Sequence, residues 1–220
     1  MAGAAAVSGR AVRALLDALY PDIACPLCGR EGVARRPDGA CADCASALRL
    51  CPAPVHTEPL DGLAAAYFYE GPAREAVLRL KYGGATYLAD FFAAGLDLPA
   101  DWEIDCIVPV PLHWTRLLRR GYNQSEMLAR ALAQRYPGLP VRTDVLRRAR
   151  RTRSQTSLSA AQRKKNLRGA FAASPLVEGL SVLLVDDVAT TRATLSACAR
   201  ALKRRGAKRV YAACACAAIE

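Results

Sequence analysis

Two adjacent carboxylates, Asp186 and Asp187, and three hydroxyls, Thr190, Thr191 and Thr194, fall within nine residues of the chain. Carboxylates accept hydrogen bonds from sugar hydroxyls, and loop amides at a helix start bind phosphate. Together they can hold a phosphorylated sugar. The alternative is an ordinary strand-to-helix turn with Asp and Thr as caps. The density of acids and threonines weighs against it. Val182-Leu183-Leu184-Val185 precedes the pair and suits a strand buried on both faces of a parallel sheet. Leu195, Cys198, Ala199 and Leu202 follow at helical spacing. The acids are therefore expected at the C-terminal end of a strand, with the threonines leading into a helix.

A second chemistry belongs to the cysteines. Cys25 and Cys28 form one C-x-x-C pair and Cys41 and Cys44 another, twelve residues apart. Four thiolates at such spacing close a tetrahedral shell around zinc, and Gly29 suits the tight turn after the first pair. Thiol redox chemistry and simple buried thiols are the weaker readings, and redox motifs usually occur singly. A four-cysteine shell leaves no open position, so the metal is expected to be structural. Cys106, Cys198, Cys214 and Cys216 sit in apolar runs and read as small core residues. His56 and His113 lack partners at ligand spacing.

Net charge is +11, and it is concentrated. No acid lies between Asp144 and Glu178, whereas Arg147, Arg148, Arg150, Arg151, Arg153, Arg163, Lys164, Lys165 and Arg168 all do. Such a segment points to a polyanion, either nucleic acid or a multiply phosphorylated substrate. A solvated basic face is the alternative. No aromatic residue lies between Arg147 and Arg168, so that stretch has no platform for base stacking.

These groups need a scaffold. Pro52, Pro54, Pro59 and Gly62 mark a linker after the cysteines. Residues 64–69 read as a strand, and Pro72 opens a helix through Leu80. Residues 104–108 are a buried strand ending at Pro109 and Pro111, which force a loop containing Arg116, Arg119, Arg120 and Asn123. A helix with Met127, Leu128, Ala131 and Leu132 on one face follows. A helix over 193–205 and a strand over 209–216 complete an alternating pattern, which implies an α/β parallel sheet flanked by helices. Ligands of such sheets sit at the strand C-termini, so the acid pair and the arginine loop can face one cleft.

A hydrophobic share of 52% with 23% charged residues fits a globular protein. The longest uncharged apolar stretch, residues 210–219, is about half of what a bilayer crossing needs, so no membrane insertion is expected. Val12, Leu15, Leu16 and Leu19 read as a short amphipathic helix, and no cleavable signal is apparent. A cytoplasmic location is the expectation. The chain divides into residues 1–58, an N-terminal helix with the zinc module, and 59–220, the α/β domain.

Five blocks in order carry a family resemblance: CPLC with CADC; FYEGPAREAVLRLKYGG; IVPVPLHWTRLLRRGYNQSEMLAR; SQTSLSAAQRKKNLRGAF; and VLLVDDVATTRATL. Over about residues 22–218 the chain resembles the ComF family, amidophosphoribosyltransferase-like proteins linked to natural competence, DNA uptake and transformation. That resemblance implies a type I phosphoribosyltransferase-like domain with an N-terminal zinc ribbon. It also implies binding of 5-phosphoribosyl-1-pyrophosphate, or a nucleotide, with magnesium. Asp186 and Asp187 would hold the ribose hydroxyls, and Thr190, Thr191, Arg192, Ala193 and Thr194 the 5′-phosphate. The loop from Pro109 to Asn123 would carry the pyrophosphate, with Arg116, Arg119 and Arg120 supplying charge. The segment with Arg153, Gln155, Arg163, Lys164, Asn166 and Arg168 would act as a flap. Single-stranded DNA and a competence helicase are the implied partners.

The family's phosphate loop usually has glycine where this chain has Arg192. Glycine permits a positive φ and close backbone approach, freedoms that arginine forfeits. Phosphate binding with altered geometry is the expectation. A phosphoribosyl-transferring enzyme, a non-catalytic DNA-handling or docking factor, and a phosphoribosyl-pyrophosphate sensor remain the alternatives.

Overall fold

The computed structural model of the chain describes residues 24–34, 36, 38–52, 54–149 and 169–218. Five strands form one sheet: β1 (Val55–Thr57), β2 (Leu60–Phe68), β3 (Cys106–Pro109), β6 (Ser181–Ala189) and β7 (Arg209–Ala217). Their order is β1-β2-β7-β6-β3, and every pairing is parallel except that of the edge strand β1. Two short strands, β4 (Leu146–Arg148) and β5 (Phe171–Ala173), form a separate antiparallel pair. The helices are α1 (Ala42–Ser46), α2 (Gly71–Tyr82), α3 (Leu88–Ala94), α4 (Trp114–Arg120), α5 (Gln124–Arg135) and α6 (Ala193–Lys203).

The central strands are apolar on both sides because both faces of the sheet are covered. Val182 and Leu184 enter one core with Leu195, Cys198 and Leu202 of α6 and Phe171 of β5. Leu183 and Val185 enter the other, with Val77, Leu80, Phe92, Leu128 and Leu132. In β7, Val210, Ala212 and Cys214 face the first core and Tyr211, Ala213 and Ala215 the second. A mostly parallel sheet between helical layers is the arrangement that the alternating pattern predicts. Cys106, Cys198, Cys214 and Cys216 are buried free thiols, as their apolar neighbours imply.

Several elements depart from the sequence reading. Val55–Thr57, in the proline-marked linker, pairs with β2 instead. Gly62 lies inside β2, where a Cβ would come 2.5 Å from the Trp102 ring, itself stacked on Tyr211. Only glycine admits that ring. The proline loop holds the helix α4, started by His113, whose Nδ1 accepts from the Thr115 amide at 3.3 Å. Gly121, at φ 80°, ends it, with its amide donating to the Leu117 carbonyl at 2.7 Å. β6 continues past Val185 to Ala189, so the acid pair lies within the strand's last turns of pleat, with Asp186 opposite Cys214. The expected N-terminal helix with Val12, Leu15, Leu16 and Leu19 lies outside the described residues. No helix among the described residues is long and apolar enough to cross a membrane.

Candidate functional site

Asp186 and Asp187 are both buried at the C-terminal end of β6. Asp186 Oδ1 accepts two hydrogen bonds of 2.9 Å, from the Ser125 hydroxyl and from the Asp187 amide. Burial, followed by the neighbouring charge of Asp187, pushes the Asp186 carboxyl up to about 7. Lys81, the Ser125 hydroxyl and the Asp187 amide pull the other way. Asp187 Oδ2 lies 3.0 Å from Lys81 Nζ at the end of α2. That oxygen is buried and receives no well-angled hydrogen bond. The site thus contains a carboxylate acceptor still open to a donor.

Arg148 acts on Asp186 through its charge, and further arginines lie on α4. Arg120 stacks over the Tyr82 ring at 4.6 Å and donates to Gln124 Oε1 at 2.9 Å. Arg116 is half-buried, and burial with the adjacent charges of Arg120 and Arg119 lowers its pKa. Burial and then Arg116 likewise lower that of Arg148, which packs over Phe171 at 5.4 Å. Like charges held this close together cost free energy, which an anion between them offsets. Arg119 is exposed. Asn123 serves as a brace: its side-chain oxygen accepts from the Ser125 amide and its NH₂ donates to the Val110 carbonyl, both at 3.1 Å.

The loop after β6 leads through Thr190, Thr191 and Arg192 to Ala193 and Thr194 in the first turn of α6. Arg192 has φ 55° and ψ 5°, so it adopts the left-handed backbone usual for glycine. The expected loss of that conformation does not occur. Its guanidinium donates to Thr57 Oγ1 at 3.3 Å, giving the side chain an anchor on β1. The N-cap residue Arg192 makes no side-chain cap hydrogen bond, so the start of α6 suits an acceptor such as phosphate. The expected flap residues Arg153, Gln155, Arg163, Lys164, Asn166 and Arg168 lie outside the described residues.

The four cysteines converge. Their sulfurs all lie within 4.8 Å of one another, and Cys28 and Cys41 are 3.8 Å apart. A tetrahedron with metal–sulfur bonds of about 2.3 Å has an edge of about 3.8 Å, so the cluster could hold a metal such as zinc. Gly29 makes the first knuckle turn with φ 74°, and the Cys41 amide donates to Cys25 Sγ at 3.3 Å. Arg30 beside Cys28 lowers its thiol to about 6, toward the thiolate a metal requires. Burial raises that of Cys44. Cys51 is not part of this group. The module packs against α2, where Arg79 Nη1 donates to the Leu27 carbonyl at 2.7 Å.

Three residues at this site escaped sequence reasoning. Lys81 is one lysine in a basic chain, although its place in the last turn before Gly83-Gly84 marked the end of an apolar-faced helix. Ser125 follows Asn123, whose spacing to Glu126 resembles a helix-capping pattern. Arg148 was visible only as part of a charge run.

Residues 115–220 match the phosphoribosyl transferase domain. The chain is 34% identical to the DNA utilization protein YhgH of Salmonella typhimurium, over 97% of this chain and 90% of that protein. It is 36% identical to Competence protein F of Haemophilus influenzae, over 48% of this chain and 47% of that protein. It is 27% identical to Competence protein ComFC of Bacillus subtilis, over 83% and 72% respectively. Near-complete alignment with one relative, and a domain match covering β6 and the loop after it, agree with the parallel sheet. The chain belongs to the ComF family, whose members carry a type I phosphoribosyltransferase-like domain.

Proposed function

We propose that the protein binds 5-phosphoribosyl-1-pyrophosphate with magnesium at the C-terminal ends of β3 and β6, and that it acts in natural competence. The observation that carries this reading is the buried pair Asp186 and Asp187 facing Lys81, with Arg148 acting on Asp186 through its charge and Arg120 over Tyr82, the residue after Lys81. The carboxylates receive the ribose hydroxyls, and the open acceptor on Asp187 is the natural place for one. The start of α6, with Thr190, Thr191, Ala193 and Thr194, receives the 5′-phosphate. Arg116, Arg119 and Arg120 of α4 neutralise the pyrophosphate.

Magnesium, when bound with the substrate, would make the pyrophosphate leaving group a weaker base. The side chains supply the rest. As pyrophosphate leaves, positive charge grows on the ribose ring, and the acid pair stabilises it from a site closed to water. The flap segment, with Arg153, Gln155, Arg163, Lys164, Asn166 and Arg168, completes that closure in this reading. The cysteine cluster takes zinc as a structural ion. The division into residues 1–58 and 59–220, and a cytoplasmic location, belong to the same proposal.

A second reading is favoured by α4. Trp114, Leu117 and Leu118 share its outer face and are exposed, Leu118 by 76%, while Arg116 and Arg120 turn inward. An exposed apolar stripe rimmed by arginine suits single-stranded DNA or a docked competence helicase. The relatives' names, DNA utilization protein and Competence protein, fit that setting. A gel-shift salt series with single-stranded DNA tests it: affinity that falls steeply with salt and with Trp114→Ala supports contact through α4, and no binding at low salt removes it.

A further inference from the structure

Lys81 closes the last turn of α2, just before Gly83-Gly84, and its side chain is 19% exposed. Its ammonium stands 3.0 Å from Asp187 Oδ2, yet that oxygen gains no well-angled hydrogen bond. Two buried carboxylates lie beside this ammonium, and the charge of Asp187 and then of Asp186 favours its cationic form. The oxygen so engaged is the one that an arriving ribose hydroxyl needs. A hydroxyl is neutral, so it can replace the ammonium as donor but not as counter-charge. The oxygen has room for a donor, but a hydroxyl seated in this buried space crowds the ammonium, which can yield its place while its charge stays in the site.

The surroundings permit this. Lysine carries its charge on a flexible four-carbon stem, unlike the planar fork of arginine. Tyr82, the next residue, lies under Arg120, so the end of α2 borders the cationic side of the site. Gly84, at φ 67° with open space around its Cα, leaves room beside the turn.

We propose that Lys81 is an exchanging counterion, bound to Asp187 in the free protein and transferred to the pyrophosphate when ribose takes its place. This inference rests on the phosphoribosyl-pyrophosphate reading above. In it, occupation of the sugar subsite releases a cation for the pyrophosphate subsite, so the whole substrate binds better than its fragments. Lys81 is a binding and positioning residue in this scheme.

Calorimetry on the full chain, with magnesium present, tests it using ribose 5-phosphate, inorganic pyrophosphate and 5-phosphoribosyl-1-pyrophosphate. In Lys81→Gln, ribose 5-phosphate should bind about fivefold tighter and pyrophosphate about tenfold weaker. Asp187→Asn should give the mirror image: pyrophosphate about fivefold tighter through the released lysine, ribose 5-phosphate weaker. A lysine that only props up the fold would weaken both fragments together, and that result in both variants overturns the exchange. If one variant does not fold, the opposed fragment affinities of the other decide. Wild type that binds none of the three ligands overturns the site reading and the exchange together. Wild type that binds the whole substrate, with both fragments shifted in one direction in the variants, overturns the exchange alone.

Discussion

The Ser125 hydroxyl donates a 2.9 Å hydrogen bond to Asp186 Oδ1, and so ties the first turn of α5 to the end of β6. Both groups are buried. The bond fixes one carboxylate of the pair on a rigid strand, while α4, just before α5, carries the arginines. Removing one partner of such a pair leaves the other unsatisfied. Ser125→Ala should therefore cost about 1–3 kcal/mol of stability in urea unfolding. Ser125→Thr, which keeps the hydroxyl, should lose less.

The raised Asp186 carboxyl makes a pH prediction with a definite sign. An unfolded aspartate titrates at about 3.9, whereas the folded group is held up at about 7 by burial and by Asp187. Below both values the carboxyl is protonated in either state and its contribution to stability is complete. Between them the unfolded chain ionises more readily than the native one, so stability is lost as pH rises from about 4 to about 7. The difference between wild type and Asp186→Asn, followed by urea midpoint across that range, should fall in wild type relative to the variant. Parallel profiles would count against the raised value.

Zinc removal should unfold the cysteine module. We expect close to one zinc per chain by metal analysis, with Cys44→Ser reducing it. Chelation should also loosen α2, because Leu27 and Cys44 share a core with Val77 and Leu80. The check is amide exchange at α2 with and without chelator; unchanged protection there would show the module to be energetically separate.

Arg192 gives a test of the phosphate loop. A left-handed backbone costs arginine about 1–2 kcal/mol, and replacement by glycine removes that cost while adding about 0.5–1 kcal/mol of unfolded-state entropy. The contact with Thr57 is also lost. Arg192→Gly should thus stay within about 1 kcal/mol of wild type. Because the backbone already has the required conformation, affinity for 5-phosphoribosyl-1-pyrophosphate should change by less than about threefold, roughly 0.7 kcal/mol. A gain of about tenfold would mean that the arginine obstructs the loop.

What the sequence disclosed and what it hid have physical reasons. β6 and β7 are legible because strands covered on both faces carry continuous apolar runs. The cysteine cluster is legible because ligand spacing is local. α3, LADFFAA, is buried along nearly its whole length, so it has no amphipathic period to detect. α4 is masked by an inverted pattern, with leucine and tryptophan outward and arginine inward. β4 and β5 pair across a long intervening segment, which only the tertiary fold brings together. Lys81 and Asp187 are 106 positions apart, and nothing local to either announces the other.

The central claim is that the acid pair of β6 binds a ribosyl pyrophosphate. Calorimetry of 5-phosphoribosyl-1-pyrophosphate with magnesium, comparing wild type with Asp186→Asn plus Asp187→Asn, tests it most directly. The account predicts saturable binding in wild type and a loss of at least about hundredfold in the double variant, roughly 2.7 kcal/mol. Equal affinity in the two proteins, or none in wild type, would contradict it.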